Sequence, residues 1–437
     1  MVHHVIIGAG PAGVIAAETL RKEDPDSKIT IIGEETEPPY SRMAIPYLLI
    51  KKVGEEGTYL RKNPQHFAER RINLMQQRVK RINTHDNFVV LDNATTHHFD
   101  TLLIATGSSP VLPPVAGINS KGVHNCWTLN DARNIIKIAQ HGAKVVLLGA
   151  GFVGCIVLEA LAMRGVDLTV VEMGDRMVPR MMPPKAGNLI KTWCQSKGVQ
   201  VCTSTRVVSI ERDDKRPHPL AVSLSDGRVL EADLVISAAG VRPNTQFLQG
   251  SGIQTHKGNG ILVDHYLQTN IPSIFAAGDV AEGRDFSTWN FEVHAIQPTA
   301  AEHGRIAALN MTGHRHFYRG SFNMNVLDTL GLISASFGLW MGVDGGDNVE
   351  LYDPERYRYI KLEFKEDFLV GATSLGVTQH IGVLRGLIHG RVPLGSWKER
   401  LKADPFRLME AYLARTQIPE SSGWRPEDTR RAALLEV

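Results

Sequence analysis

The chain has 437 residues and a formal net charge of +2, with 48 Lys and Arg against 46 Asp and Glu; 43% of residues are hydrophobic and 22% charged. That is an ordinary balance for a soluble globular protein of two or three domains, and it supplies no basic surface for nucleic acid or an anionic membrane. Four scattered cysteines (Cys126, Cys155, Cys194 and Cys202) with no C-x-x-C pair point to a reducing cytoplasm, and against a disulfide framework or a resident iron–sulfur cluster.

The first predicted strand, His4-Val5-Ile6-Ile7, begins too close to Met1 for a targeting segment to be expected. It runs directly into Gly8-Ala9-Gly10-Pro11-Ala12-Gly13 and an apolar helix over Pro11 to Lys22. Gly8 permits the tight turn, Gly10 lets backbone approach a pyrophosphate, and Gly13 lets helix pack on sheet. The helix then aims its first N–H groups at the phosphates. A second strand, Lys28 to Ile32, ends at Gly33-Glu34, where a carboxylate 26 residues after Gly8 accepts bonds from ribose hydroxyls. Further buried strands end in Ala105-Thr106-Gly107 and in Gly278-Asp279.

The same pattern recurs once. Val145 to Leu148 leads into Gly149-Ala150-Gly151-Phe152-Val153-Gly154. The apolar stretch Val145 to Met163 is long enough to suggest a membrane span, but its glycines and Glu159 fit strand, turn and helix better. The next strand, Leu168 to Val171, ends at Glu172, a carboxylate that pairs with the 2′-hydroxyl of NAD and repels the 2′-phosphate of NADP. NADH is therefore expected over NADPH, with Arg176 placed to soften the preference. Two such loops imply two dinucleotides, and so a flavin exchanging a hydride with a nicotinamide.

These motifs together resemble the FAD-dependent pyridine nucleotide-disulfide oxidoreductases: NADH oxidases, coenzyme A disulfide reductases, rubredoxin and ferredoxin reductases, and the flavin part of nitrite reductases. The resemblance runs from about residue 3 to about residue 390. It implies an α/β fold of two Rossmann-like dinucleotide-binding domains and a C-terminal α+β interface domain. FAD would occupy residues 1–112 and 246–316, NAD residues 113–245 inserted between them, and an interface or docking domain residues 317–415. The resemblance implies FAD contacts from Gly8, Gly10, Pro11, Ala12, Gly13, Glu34, Arg42 near the pyrophosphate, Val79, Ala105, Thr106, Gly107, Gly278, Asp279 on the ribityl chain, and Thr299. A helix beginning near Pro298 would place its N-terminus at the flavin's pyrimidine end, stabilising negative charge on the reduced ring. NAD contacts would come from Gly149, Gly151, Phe152, Val153, Gly154, Glu172 and Gly240, with Phe152 a candidate gate over the flavin; plain core packing is the alternative. Ser237 to Asn244 resembles the crossover back to the FAD domain.

The chain departs from its relatives where electrons leave the flavin. Met43 stands at the redox-cysteine position of the oxidases and coenzyme A disulfide reductases, and a thioether forms neither a sulfenic acid nor a mixed disulfide. Pro11 stands where those oxidases carry a histidine, and Ile156 where the family often has a glutamate near nicotinamide. The nicotinamide side would then be more apolar than in relatives; the alternative is that Glu159, one turn on, is a packing or surface acid that compensates for nothing. The four cysteines are expected to be small buried hydrophobes. No metal site is expected, because the 17 histidines show no H-E-x-x-H or comparable spacing.

Beyond residue 317, Asn323 to Leu327, Ser334 to Leu339, Arg358 to Phe364 and Phe368 to Ala372 read as antiparallel strands. A helix over Ile381 to His389 follows, then a helical stretch over Trp397 to Leu413 broken at Pro405. There Trp397, Leu401, Phe406, Met409 and Leu413 would share an apolar face. Residues 416–437 are expected to be a charged tail.

The functional expectation is an enzyme exchanging hydride between NAD(H) and FAD, and single electrons with an iron–sulfur or ferredoxin-like protein subunit. One form of it is the NAD-reactive subunit of a 2-oxoacid (phenylglyoxylate) dehydrogenase complex. The alternatives are a stand-alone NADH oxidase or rubredoxin-type reductase, and an interaction protein that holds FAD as a stabiliser. A homodimer or heteromeric complex in the cytoplasm is expected, with no membrane span.

Overall fold

A computed structural model of the protein describes residues 1–256 and 260–417. Its chain divides into two compact units, Met1–Asn323 with Leu327–Leu332, and Met324–Val326 with Ile333 onward. Among the described residues, no helix is long and apolar enough to cross a membrane.

The first unit holds two five-stranded parallel sheets. In the first, the spatial order is Ile274–Ala276, Thr101–Ile104, His3–Ile7, Lys28–Gly33 and Ile72–Gln76. Val5 stands between Thr30 and Leu102, and every pairing in the sheet is parallel. Strands covered on both faces must be apolar throughout, which is why Ile29, Ile31 and Ile32 are all buried with no alternation. The second sheet follows the order Gln200–Cys202, Asp167–Val171, Lys144–Leu148, Leu234–Ser237 and Val123–Asn125.

The internal repeat is longer than the two βαβ units visible in the sequence. After its third strand, each half makes a three-stranded antiparallel meander and only then returns to its sheet. The first meander is Val79–Asn83, Phe88–Leu91 and Thr96–His98; the second is Val207–Arg212, Leu220–Leu224 and Val229–Ala232. The second packs Val222 and Leu224 against Val146, Leu148 and Val235 of its parallel sheet. These strands escaped notice because their exposed faces carry Lys80, Arg81, Glu211 and Glu231, which break up the apolar runs.

The two crossings between the sheets are tied to each other. Ser108–Pro110 pairs antiparallel with Val241–Pro243. Beside them, Thr106 Oγ1 donates to Asn244 O at 3.0 Å, and Asn244 Nδ2 donates to Thr106 O at 2.9 Å.

Helix Pro11–Glu23 lies against helix Gln297–Met311. Their contact is backbone on backbone at Gly304, where a Cβ would sit 2.2 Å from Ala12 O. This closeness brings the N-termini of both helices to the carboxyl ends of the first sheet.

The second unit contains most of a five-stranded sheet ordered Met324–Thr329, Leu332–Gly338, Phe368–Leu375, Arg358–Lys365 and Asp347–Asp353. The last of these was not anticipated. It is an edge strand, and its charged Asp347, Glu350 and Asp353 suit an edge while disguising it as a loop. Helix Ile381–His389 stands where expected. The next helical stretch divides into Trp397–Ala403 and Leu408–Thr416. The expected common apolar face is therefore broken: Leu401 and Leu408 are buried, whereas Phe406 and Leu413 are exposed. The turn at buried Pro405 offsets one helix from the other. The expected tail lies almost wholly outside the described residues.

Gly304→Ala is expected to force the two helices apart and lower stability by about 1–3 kcal/mol, the usual cost of overpacking. Thermal melting together with FAD content checks this. An unchanged melting temperature and full FAD occupancy would mean that the helix contact is loose.

Candidate flavin and nicotinamide site

The carboxyl ends of the first sheet's strands surround a cavity of about 630 Å³. Each strand contributes the residues that follow it: Gly8 and Gly10, Glu34, Gln77, Ala105 to Gly107, and Ala277 to Asp279. Ligands of parallel α/β sheets bind in this position, and the volume falls within the usual range for a small-molecule site.

The glycine loop explains how a phosphate would fit. Gly8 has φ +114°, and a Cβ there would lie 2.1 Å from Ala105 O, so the turn closes against the neighbouring strand only without a side chain. A Cβ on Gly10 would meet nothing within 4 Å. That open cradle, at the N-terminus of helix Pro11–Glu23, is free for a pyrophosphate oxygen. The second loop repeats the arrangement: Gly149 has φ +94° and faces Ala238 O, and Gly151 looks into open space.

Pro11, Ala12, Arg42, Met43 and Val79 also line the cavity, together with Phe152, Val153 and Ile156 from the second loop and its helix. Gly13 does not line it; a Cβ there would strike Gly8 O at 2.0 Å, so Gly13 serves the packing of its own turn. Thr299 is buried just inside helix Gln297–Met311, and that helix presents Gln297 and Ala300 to the cavity instead. Glu159 does not line the cavity either; burial, then the nearby Asp328, raises its pKa, and the Leu330 backbone bonds to it, so it does not take the place of the glutamate missing at Ile156.

Two of the expected polar residues are already engaged. Asp279 Oδ2 accepts from Ser108 Oγ at 2.8 Å, and burial pushes its carboxyl pKa upward. Arg42 donates to Trp127 O and to Glu35 Oε1, each at 2.7 Å, so its guanidinium braces the cavity wall. Trp127 in turn donates from Nε1 to Ser108 O at 3.2 Å. Nothing local in the sequence marks Trp127 or Ser108, because their partners lie far along the chain.

Gly149, Gly151, Gly154, Glu172 and Gly240 gather at the carboxyl ends of the second sheet, outside the large cavity. Glu172 accepts from Ala150 N at 2.6 Å and from Gly174 N at 2.7 Å, so it braces the glycine loop as well as presenting its charge there. Arg176 is turned to other work: it donates to Met182 O at 2.9 Å and Pro179 O at 3.2 Å and pairs with Asp175. It is not free to offset the charge of Glu172.

A buried histidine was missed in the sequence. His303, 2% exposed, accepts the Gly278 N–H at Nδ1 (3.3 Å), and its Nε2 lies 3.1 Å from Ser321 Oγ. Nδ1 accepts only if Nε2 carries the ring proton, so Nε2 donates to the serine. Burial, and then His294, push its pKa down to about 3. It is a neutral prop beneath Gly278 and Asp279.

The redox chemistry of thiols finds no place here. Met43, 45% exposed, lines the cavity. Cys126 lines it too, contrary to its expected role as plain core, but burial and the nearby Asp131 push its thiol up to about 12. It is not a nucleophile at neutral pH.

A model of the pyridine nucleotide-disulphide oxidoreductase family matches residues 2–304. The chain belongs to that family. It is an FAD-dependent NAD(H) oxidoreductase. It is 30% identical over 417 residues to the epsilon subunit of NADH-dependent phenylglyoxylate dehydrogenase from Aromatoleum evansii, covering 94% of this chain and 97% of that one. It is 32% identical over 317 residues to an NADH oxidase from Methanocaldococcus jannaschii, covering 71% and 70%. Among solved structures, the reductase in a covalent putidaredoxin reductase–putidaredoxin complex superimposes with a TM-score of 0.86 at 25% identity, covering 95% of this chain and 99% of that one. This member of the disulphide oxidoreductase family thus has the family fold without an ionisable thiol on the cavity wall among the described residues.

Glu172→Ala is expected to raise KM for NADH at least about tenfold, since a charged hydrogen bond contributes about 1.5–3 kcal/mol, and to narrow the preference over NADPH. Steady-state kinetics with both nucleotides checks this, and an unchanged ratio would remove Glu172 from ribose recognition. Protonating His303 is resisted by the folded state, because its pKa lies below that of an unfolded histidine. Stability is therefore expected to fall as pH drops below about 6.5 and on toward 3. His303→Gln should flatten that part of a melting-temperature profile; a profile parallel to the wild type would show that other groups control it.

Proposed function

We propose that the chain carries electrons between NAD(H) and a one-electron iron–sulfur protein, as the NAD-reactive flavoprotein subunit of a larger oxidoreductase. The observation that carries this reading is the cavity wall itself. It offers a thioether at Met43 and a protonated thiol at Cys126, so electrons have no thiol relay by which to leave. Direct transfer to a separate redox protein is the simplest remaining route.

Bound FAD would supply the conversion between two-electron and one-electron transfer. The protein's part is to hold and orient. Gly8 and Gly10 with their helix N-terminus would receive the pyrophosphate, Glu34 the ribose and Asp279 the ribityl chain. Phe152 and Val153 would close the nicotinamide side, and Gln297 with its helix N-terminus would face the pyrimidine end. Hydride transfer needs stacked rings at close approach and no side-chain acid or base. Residues 1–112 with 246–316 would form the FAD domain and residues 113–245 the NAD domain. The remainder through residue 415 would serve as the docking domain.

The near full-length match to a subunit of a phenylglyoxylate dehydrogenase supports assembly with 2-oxoacid-oxidising subunits, with electrons flowing from an iron–sulfur centre through FAD to NAD+. The likeness to a reductase caught with putidaredoxin supports a docked protein partner. The NADH oxidase relative keeps oxygen as the competing acceptor.

Anaerobic stopped-flow reduction by NADH, followed by mixing with oxygen or with a one-electron dye, separates the two. Fast flavin reduction, fast dye reaction and slow oxygen reaction are expected, and Met43→Cys should leave NADH-to-dye turnover within about twofold, because a residue with no redox role contributes little to the barrier. Rapid turnover with oxygen would make the protein a stand-alone oxidase.

A further inference from the structure

We propose that Asp285, Glu292 and His294 form a binding site for a divalent transition-metal cation, at the base of the helix that faces the flavin cavity. Strands Ala281–Arg284 and Phe291–Glu292 make an antiparallel hairpin in which Gly283 opposes Glu292. Asp285 follows the first strand directly and His294 stands two residues beyond the second. One ligand atom from each of the three side chains lies within 4.8 Å of the others.

The orientation of these groups carries the inference. Asp285 is 2% exposed, and its Oδ1 is fixed by the Ser287 and Thr288 N–H groups at 2.8 and 2.7 Å. That leaves Oδ2 turned toward His294, whose side chain is 7% exposed. Nε2 of His294 comes within 3.0 Å of Oδ2, yet it is buried and makes no hydrogen bond of acceptable geometry. A histidine–aspartate ion pair at this distance would normally align N–H with oxygen. The buried Nε2 and Oδ2 thus lie close without a well-aligned hydrogen bond between them, and a cation beside them would take both. In a tetrahedral site with metal–ligand distances near 2.0–2.2 Å, ligand atoms are about 3.3–3.6 Å apart, so Asp285 and His294 would need to part by only a few tenths of an ångström from their 3.0 Å separation. Glu292 is exposed, with its ligand oxygen within 4.8 Å of the other two.

One imidazole nitrogen and two carboxylates suit Zn2+, Mn2+ or Fe2+ better than Ca2+ or Mg2+, which favour all-oxygen cages. Two negative charges match a divalent ion. The order of the ligands along the chain matches no familiar motif, because the hairpin, and not sequence spacing, brings them together.

The site's position gives it a purpose. Ala295 and Gln297, which line the cavity, follow His294 immediately. A cation would pin the hairpin to the start of helix Gln297–Met311 and so fix the helix end that faces the cavity.

The test is equilibrium dialysis of the EDTA-treated, FAD-loaded full chain against Zn2+, Mn2+ and Co2+, with metal content, melting temperature and the Co2+ visible spectrum as readouts. The wild type should retain about one equivalent, show ligand-field bands at longer wavelength than the flavin absorption with Co2+, and melt higher with metal. Glu292→Gln, an exposed change that leaves the fold intact, should weaken retention at least about tenfold, and Glu292→Gln combined with His294→Gln should abolish it. No retained metal and no Co2+ bands in the wild type, or equal retention in the double variant, would overturn the proposal. Should the double variant fail to fold, the wild-type Co2+ spectrum and Glu292→Gln decide it.

Discussion

The structure depends on two backbone carbonyls. Ala105 O and Ala238 O each close against a glycine at the end of the central strand, and each would lie within 2.6 Å of a Cβ at that glycine. This contact bends the chain from strand into helix with the first N–H groups directed outward at the strand ends. A second glycine in each loop then leaves the space beside those N–H groups free. What a pyrophosphate needs, the helix end and the open cradle, follows from that turn, while the carboxylates Glu34 and Glu172 stand one strand over. The turn occurs twice on one chain, and the crossings between the halves are tied together by Thr106 and Asn244, so the Phe152 loop of the second half opens onto the cavity of the first.

The electrostatics of the cavity favour holding charge over reacting with it. Arg42 is held by Glu35 and Trp127, and Arg133 by Glu37 and Glu55. Glu37 shows the result: burial acts to raise its pKa, but the Arg133 bond outweighs it and holds the carboxyl below its ordinary value. Asp279, which has no ion-pair partner within bonding distance among the described residues, is pushed the other way: burial outweighs the Ser108 hydroxyl, the Arg42 charge and a backbone hydrogen bond. A carboxylate left short of donors in a buried wall is suited to accept hydroxyl hydrogen bonds from a polyol chain, which an already paired carboxylate is not.

What was legible in the sequence was whatever is local. Four of the five strands of the first sheet and the pair Lys144–Leu148 and Asp167–Val171 of the second were visible because strands buried on two faces are unbroken apolar runs, whereas Ile72–Gln76, Val123–Asn125, Gln200–Cys202 and Leu234–Ser237 were not anticipated. The glycine loops were visible because their spacing is set by one turn. The supporting side chains were not visible. Ser108 meets Asp279 across 171 residues, beyond any local window, and Trp127 meets Ser108 through a backbone carbonyl, which carries no residue-type signal. His303 lay inside an ordinary helix with nothing to distinguish it from the other histidines; only the fold places Gly278 above it. The strand Asp347–Asp353 was hidden for the opposite reason, since an edge strand with acidic residues protects itself from pairing by looking unlike a strand. Cys126 was read as core because free cysteines usually are, yet it is half-buried; its place on the cavity wall comes from the turn before the Thr128 cap, which the sequence does not position.

The family's chemistry is often attributed to a cysteine beside the flavin, but in this chain the surrounding frame persists without one. The thioether of Met43 offers no thiol chemistry on the cavity wall, and the nucleotide loops rest on backbone geometry and not on the residue at position 43. A thiol that relays electrons must be ionised near neutral pH, and the burial that holds Cys126 protonated would have to be offset by a neighbouring cation. Arg42, the cation near that wall, is already committed to Glu35 and the Trp127 carbonyl. On this wall Arg42, Glu35 and Glu37 are engaged in holding shape, and Cys126 has no paired cation to ionise it among the described residues.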